Sequence, residues 1–392
     1  MYSARVRFDV AIVGGAMVGG SLAAALADSG LEVALIDPRS APPGSSRDLD
    51  LRVYALRPAS RAFLERCGIW RHIDTARIAP VYEIAVFGDD GVSRLTFDAY
   101  RAGIRELAVI AEDSQLQSAT HAALNEKTLV TRLPGRTCAN ARWDDEGVTI
   151  ELDDGQQVNA RLAVAADGSE SRLRELGGIG TEIWPYHEHG VVANFQVEQS
   201  HHGVAYQWFR DDGILALLPL PGDQVSMVWS TADAHADELL NLDPDKLAAR
   251  VMLAAGKALG ELKATGAAAG FALRRMRAKS IVGHCLALVG DAAHNVHPLA
   301  GQGLNLGLAD AEVLAGVISS RAPGEQAGSR ALLARYRRAR AEEIAAMAYT
   351  TDGLHRLFAS QLPGIAWLRN TGLRLTDNLP TLKRLLVKHA AG

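Results

Sequence analysis

Apolar positions along this chain follow two rhythms. Asp9-Val-Ala-Ile-Val13 and Leu162 to Ala166 are short continuous apolar runs, as expected of strands buried on both faces. Between about Gly190 and Trp229 the texture changes to short alternating strands, such as Val191 to Val197 and Val225 to Trp229, broken by an Asp-Gly turn at Asp212-Gly213. From Phe8 to Asp37 the order is strand, glycine turn, an Ala/Leu-rich helix ending near Gly30, and a strand from Val33 to Ile36. That βαβ unit predicts a right-handed parallel crossover. Helices follow from about Pro58 and from about Glu112 to Glu126, with strands near Leu129, from Arg136 to Trp143 and from Gly147 to Leu152. Parallel character returns at Cys285 to Gly290, after which a Gly-rich loop and helices run to the end.

The pattern predicts an α/β fold: a Rossmann-like domain carrying an inserted antiparallel β-sheet and a C-terminal helical segment. No repeat or low-complexity linker separates the parts, so they are interleaved. Residues 1–78, 100–182 and 276–330 form the Rossmann-like domain, 79–99 and 183–275 the inserted sheet, and 331–392 the C-terminal helices.

Composition narrows the function classes. With 392 residues, 48% hydrophobic and 22% charged, the chain has material for two or three ordinary globular domains and is neither disordered nor fibrous. No apolar run approaches the roughly 18 residues of a spanning helix. The start lacks the pattern of a secretory signal, which makes the cytoplasm the expected compartment. Cys67, Cys138 and Cys285 are odd in number and far apart, which favours buried, reduced thiols over a disulfide frame or a zinc site. A net charge of −4 argues against nucleic acid as a partner. The charge is uneven, however: from Gly353 to Gly392, six Lys and Arg residues stand against Asp377 alone.

Three segments carry candidate chemistry. In the first, Gly14-Gly15-Ala16-Met17-Val18-Gly19 joins a buried strand to a helix, where glycines admit a pyrophosphate and free amides hold its charge. Asp37, at the end of the next strand, is placed to bind a ribose hydroxyl. Ala16 replaces the usual middle glycine, for which a small displacement of the phosphate is expected. The second segment, Ala165-Ala-Asp167-Gly168, is a strand end that is ordinary in α/β proteins when it stands alone. In the third, a buried strand delivers Gly290 and Asp291 to the carboxyl edge, where ligands of open α/β sheets bind. Gly301-Gln302-Gly303 then opens a helix whose bare amides suit an electron-rich ring. Asp291, His294 and His297 have metal-like spacing, but no companion carboxylate or histidine cluster accompanies them, and the histidines read better as structural donors. No G-x-S-x-G turn supports a serine hydrolase.

Together these segments resemble the flavoprotein monooxygenases of the para-hydroxybenzoate hydroxylase-like fold. His297-Pro-Leu-Ala-Gly-Gln-Gly-Leu-Asn-Leu-Gly-Leu-Ala-Asp310 is similar to the signature of the ubiquinone-biosynthesis hydroxylases. Asp50-Leu-Arg52, Ile110-Ala-Glu112, Gln207-Trp-Phe209, Leu215 to Leu220 and Val228-Trp-Ser230 extend the likeness over most of the chain. The resemblance implies FAD held by Gly14 to Gly19 and Asp37 through its ADP half, by Arg52 at the pyrophosphate and by Asp291 at the ribityl chain. Pro298, Gly301, Gln302, Gly303, Leu304 and Asn305 would border the ring. It ties Asp167-Gly168 to FAD and NAD(P)H, the latter a transient electron donor, since no second dinucleotide unit exists. Departures are Ala16, Asp37 where glutamate is commoner, and Asp113 where Asn, Gln or Arg often touches the flavin.

The implied activity is hydroxylation of an electron-rich phenol by O2 through a C4a-hydroperoxyflavin, with few indispensable acid-base side chains and the inserted sheet as an apolar roof. The expected substrate is a polyprenyl phenol, a ubiquinone precursor. Alternatives are a monooxygenase of a soluble phenol or secondary metabolite, and a weakly catalytic flavin-bearing subunit of a biosynthetic complex. Leu379 to Val387 is a basic amphipathic stretch that could rest peripherally on anionic lipid, weighed against packing on its own FAD domain with a solvated basic face. Arg335 to Arg340 reads as a solvated face or a homo-oligomer contact.

Overall fold

The computed structural model describes residues 7–42, 44, 48–90, 92–296 and 302–359, and positions 370, 371, 375–377, 379, 383 and 387 of the C-terminal segment. Its first sheet grows around Arg7–Val13, which pairs in parallel with Val33–Asp37 on one side and Gln157–Ala165 on the other. Gln157–Ala165 pairs in parallel in turn with Leu286–Leu288, and Val33–Asp37 with Val130–Pro134. Cys138–Asp144 and Gly147–Leu152 add an antiparallel flank. Because strand side chains alternate, Val10 and Ile12 feed one core while Ala11 and Val13 feed the other. That double burial explains the continuous apolar runs. Helices Met17–Asp28, Asp113–Asn125 and Gln302–Ser319 contribute Leu22, Leu116 and Leu308 to the first of these cores.

Among the described residues the second sheet has nine strands. It extends well beyond the alternating stretch, from Thr181–Val197 through Val204–Arg210, Gly213–Leu220 and Gln224–Ala232 to Ala269–Ala278, and takes in Glu83–Phe87 and Arg94–Asp98. One face buries Phe195, Leu217, Met227 and Trp229 against Leu239, Leu247 and Val251 of the helices Asp233–Leu240 and Pro244–Ala254. Short strands Val53–Leu56, Ala108–Glu112 and Ile78–Val81 form a third sheet that alternation did not reveal.

Two expectations are corrected. Arg340, counted among a solvated run, is 1% exposed and ion-paired to Asp310; Arg335, Arg337 and Arg338 are exposed as expected. The tail, expected on the FAD domain, reaches the inserted sheet at its described positions. Asn370 donates to Asp89 at 2.7 Å, Asp377 accepts the Thr96 N–H at 3.0 Å, and Lys383 pairs with Asp377 at 2.9 Å. Leu382, Arg384, Leu385, Leu386 and Lys388 lie outside the described residues.

Candidate functional site

Three neighbouring parallel strands end at one edge, and each carries one predicted loop. Gly14 follows Arg7–Val13, Asp167 follows Gln157–Ala165, and Asp291 follows Leu286–Leu288. The turns touch. A Cβ on Gly14, whose φ is +105°, would fall 2.2 Å from the Ala166 carbonyl oxygen and 2.8 Å from the Asp167 nitrogen. A Cβ on Gly19 would fall 1.9 Å from the Gly14 oxygen, and Val18 packs against Gly290 and Gly307. The glycines therefore allow two strand ends and a helix to meet at backbone distance. Helix Met17–Asp28 begins at Ala16 without a side-chain cap, so amides of its first turn stay free for an anion. Met17 is buried against the neighbouring helix, its sulfur 3.2 Å from the Thr120 hydroxyl, which donates to the Leu116 carbonyl at 2.8 Å.

Farther along this edge, Asp37 borders a shallow pocket with Gly15, Arg39, Gln117, His121 and Arg132. Both Asp37 oxygens are engaged by the Arg39 guanidinium, at 3.1 and 2.8 Å, and one also accepts the Arg39 N–H at 3.0 Å. Burial, aided by Arg132, lowers the His121 pKa and favours the neutral ring. Asp167 does local work: its carboxylate accepts from the Ser171 hydroxyl at 2.5 Å and the Leu173 N–H at 3.1 Å, holding the start of helix Arg172–Leu176. Burial raises its pKa against those hydrogen bonds. Gly168 beside it, at φ +85°, has open space around it.

Asp291 is reachable by solvent yet crowded by protein. The crowding lifts its carboxyl above the ordinary aspartate range, while His294 and the exposed Arg52 pull the other way and Asp310 adds to the rise. Arg52 lies over the Tyr54 ring at 5.4 Å, and its carbonyl accepts the Asp113 N–H at 3.0 Å. Asp113 opens its helix, accepting from the Tyr54 hydroxyl at 3.2 Å and from Gln117 at 2.6 Å. Burial, reinforced by Asp113, raises the Tyr54 phenol well above its usual value. Glu112, 1% exposed, anchors the preceding loop by pairing with Arg77 at 2.7 Å and accepting the Asp50 N–H at 2.7 Å.

Gln302, Gly303, Leu304 and Asn305 open helix Gln302–Ser319, whereas His297, Pro298 and Gly301 lie outside the described residues. Leu304 packs on the core. Asn305 is buried and bridges two strand-end groups, accepting the Arg57 N–H at 3.0 Å and donating to the Ala55 carbonyl at 2.8 Å. His294 is the structural partner expected of it: its Nε2 lies 2.7 Å from Asp310. Among the described residues no cluster of potential metal ligands occurs, and no helix is long and apolar enough to cross a membrane. All three cysteines are free and buried.

The inserted sheet supplies what motif reading missed. Its second face turns to these loops: Asn194 donates to the carbonyls of Leu49 and Asp50 at 3.2 and 3.0 Å, just ahead of Arg52. Its strand Ala269–Ala278 pairs with the edge strand His294–Asn295, just past Asp291. Across that face the register aligns Val86, Gln207, Ala216, Val228 and Val192, and the next row aligns Phe209, Ile214, Ser230, Gly190 and Phe271. Gln207, Ala216, Val228 and Ile214 are only partly buried, and Phe271 is 46% exposed, while Val86, Val192, Phe209 and Ser230 are buried. Gln207 is the one polar side chain in its row. The signal was present in the alternation, but the facing direction depends on long-range pairing.

Known proteins align with this whole arrangement. A family model described as an FAD binding domain matches residues 7–351. The ubiquinone hydroxylase UbiL of Rhodospirillum rubrum is 36% identical over 386 residues, covering 98% of this chain and 89% of that protein. The 3-demethoxyubiquinol 3-hydroxylase of Escherichia coli is 35% identical, covering 98% of both chains. The solved p-nitrophenol 4-monooxygenase PnpA of Pseudomonas putida superposes with a TM-score of 0.77 at 19% identity, covering 97% and 96% of the two chains, a likeness of fold. With a glycine-built dinucleotide edge, an apolar sheet opposite it and relatives matched end to end, the chain belongs to the FAD-binding family and, within it, to the ubiquinone-biosynthesis hydroxylases.

Proposed function

We propose that this protein is an FAD-dependent monooxygenase that hydroxylates the aromatic ring of a polyprenylated phenol on the route to ubiquinone, using O2 and NAD(P)H. The observation that carries the reading is the opposition of two unlike surfaces, the loop edge with Arg52 and Asp291 and the apolar sheet face continuous with it. Relatives named for ubiquinone and demethoxyubiquinol hydroxylation support the substrate class.

The residues fit the cofactor. The close backbone approach at Gly14 and Gly19 and the free amides at Met17 and Val18 suit a pyrophosphate, with Arg52 as its cation. Asp37 would meet the adenosine ribose once Arg39 yields part of its fork, and Asp291, raised by crowding, would share a proton or hydrogen bond with a ribityl hydroxyl. Asp167, Asn305 and Asp113 hold the walls, while the segment from Pro298 to Leu304 would border the ring. Bound FAD, reduced by NAD(P)H, supplies the activation of O2. The protein's remaining work is exclusion of water and placement of the ring carbon, which Val192, Ala216, Val228 and Phe271 perform by apolar contact. Gln207 offers a donor and an acceptor to a ring oxygen. Delivery from the inner face of the membrane, aided by the basic C-terminal segment, is the finer part of this reading.

Steady-state assays with a prenylated phenol test it. Substrate-stimulated NAD(P)H oxidation with matching hydroxylated product is expected. Stimulation by small soluble phenols alone would move the enzyme to that substrate class, and tight FAD without any stimulated reduction would make it an assembly subunit.

A further inference from the structure

Beneath the loop edge lies a buried polar chain that the proposed chemistry does not use. Asp310 is 0% exposed. Its Oδ2 accepts the Gly290 N–H at 2.9 Å and faces His294 Nε2 at 2.7 Å, while its Oδ1 accepts from Arg340 Nε at 2.7 Å. Arg340 comes from the long helix Arg330–Ala359, donates also to the Leu306 carbonyl at 3.2 Å, and pairs with Glu343 one turn on. Glu343 in turn pairs with Arg57 at 3.2 Å, whose N–H is held by Asn305. On the other flank Tyr336, fully buried, donates to the Leu288 carbonyl at 2.9 Å. One helix thus reaches both the strand end that carries Asp291 and the strand that follows Arg52. Burial alone would raise the Asp310 carboxyl, but His294 and Arg340 outweigh it and keep the group ionised.

We propose that helix Arg330–Ala359 is a clamp for the FAD site, in which Asp310 and Arg340 are positioning residues that fix the Gly290–Asp291 turn and Glu343 fixes the strand after Arg52 through Arg57. The proposal rests on FAD as the cofactor and not on the identity of the phenol. Its physical content is directional. Gly290 sits at φ +59°, and the Asp310 carboxylate holds its N–H inward, which fixes the backbone from which the solvent-reachable Asp291 departs. A buried pair is weak evidence for stability but strong evidence for a fixed geometry when each of its arms ends on a different element.

The test pairs hydrogen exchange of the FAD-free protein with FAD titration of the same protein. Asp310→Leu combined with Arg340→Met removes both buried charges together, and half-exposed Glu343 keeps its Arg57 partner. In that variant, exchange in the peptide spanning residues 286–296 should quicken and FAD binding should weaken about tenfold or more, with exchange in the inserted sheet unchanged. Glu343→Gln, at a half-exposed site, should leave the 286–296 peptide protected and weaken FAD by a few-fold. A folded double variant with both readouts within twofold of the parent overturns the clamp. If the double variant does not fold, unchanged FAD affinity in Glu343→Gln overturns it instead. A parent protein that binds FAD yet hydroxylates no prenylated phenol removes the proposed substrate and leaves the clamp intact.

Discussion

The parallel sheet and the inserted sheet solve opposite problems. At the parallel sheet's edge, chain segments meet at backbone distance and the proposed ligand contact is through backbone, so a side chain is the obstacle: Gly14 and Gly19 have no room for a Cβ. On the inserted sheet's second face, the proposed contact is through side chains, which the backbone register aligns in rows. A backbone site tolerates few residue types and leaves a motif; a side-chain face tolerates many apolar residues of similar volume and leaves none. The two regions should therefore fail differently when altered.

The largest effect is expected from Gly14→Val. A branched side chain at φ +105° within 2.2 Å of the Ala166 carbonyl cannot be accommodated without moving a strand end. The variant should purify without FAD, an affinity loss of about a hundredfold or more, and retention of yellow colour and parental titration would break the comparison. Next comes Val228→Arg, which places a cation in the apolar row between Ala216 and Val192. It should raise KM for a prenylated phenol roughly tenfold or more and divert reduced cofactor to hydrogen peroxide, with FAD affinity unchanged. If FAD affinity falls in step, the two surfaces are not separable.

The smallest effect is the titration of thiols, which lie in the parallel half because residues 183–275 contain no cysteine. Burial pushes the Cys67 thiol up to about 12. Below the unfolded thiol's value of about 8.5 its stabilisation is complete, and it is lost as pH rises towards the folded value. Between about pH 8.5 and 9.5 the parent should lose roughly 1 kcal/mol more in urea unfolding than Cys67→Ala does. Equal losses would place the alkaline sensitivity elsewhere.

Much of the parallel half was legible because each feature is local. A buried strand, a glycine turn and an uncapped helix are successive in the chain, and parallel pairing then brings Gly14, Asp167 and Asp291 to one edge. What escaped is non-local. The strand Ile78–Val81 pairs with Ala108–Glu112 rather than with its sequence neighbours, and its two-fold rhythm is too short to register. Arg340 carried the mark of a surface residue, and only the packing of two helices shows its acid partner thirty positions earlier. Asp37 was legible as the acid closing the second strand, but its Arg39 fork was not, since arginine two residues on is compatible with solvent as well as with a carboxylate. Gln207 stood in a stretch that marked the family, and its place in an apolar row emerged only from the register of four strands.

The link between Asp377 and Thr96 bears on solubility. Arg94–Asp98 is the last strand of its sheet, so its outward N–H groups form a template on which another chain could add a strand. The Asp377 carboxylate, itself paired with Lys383, occupies one of those donors and so removes it from any incoming strand. Asp377 thereby shortens the free pairing edge of Arg94–Asp98 by one donor, a consequence independent of lipid and of oxygen chemistry.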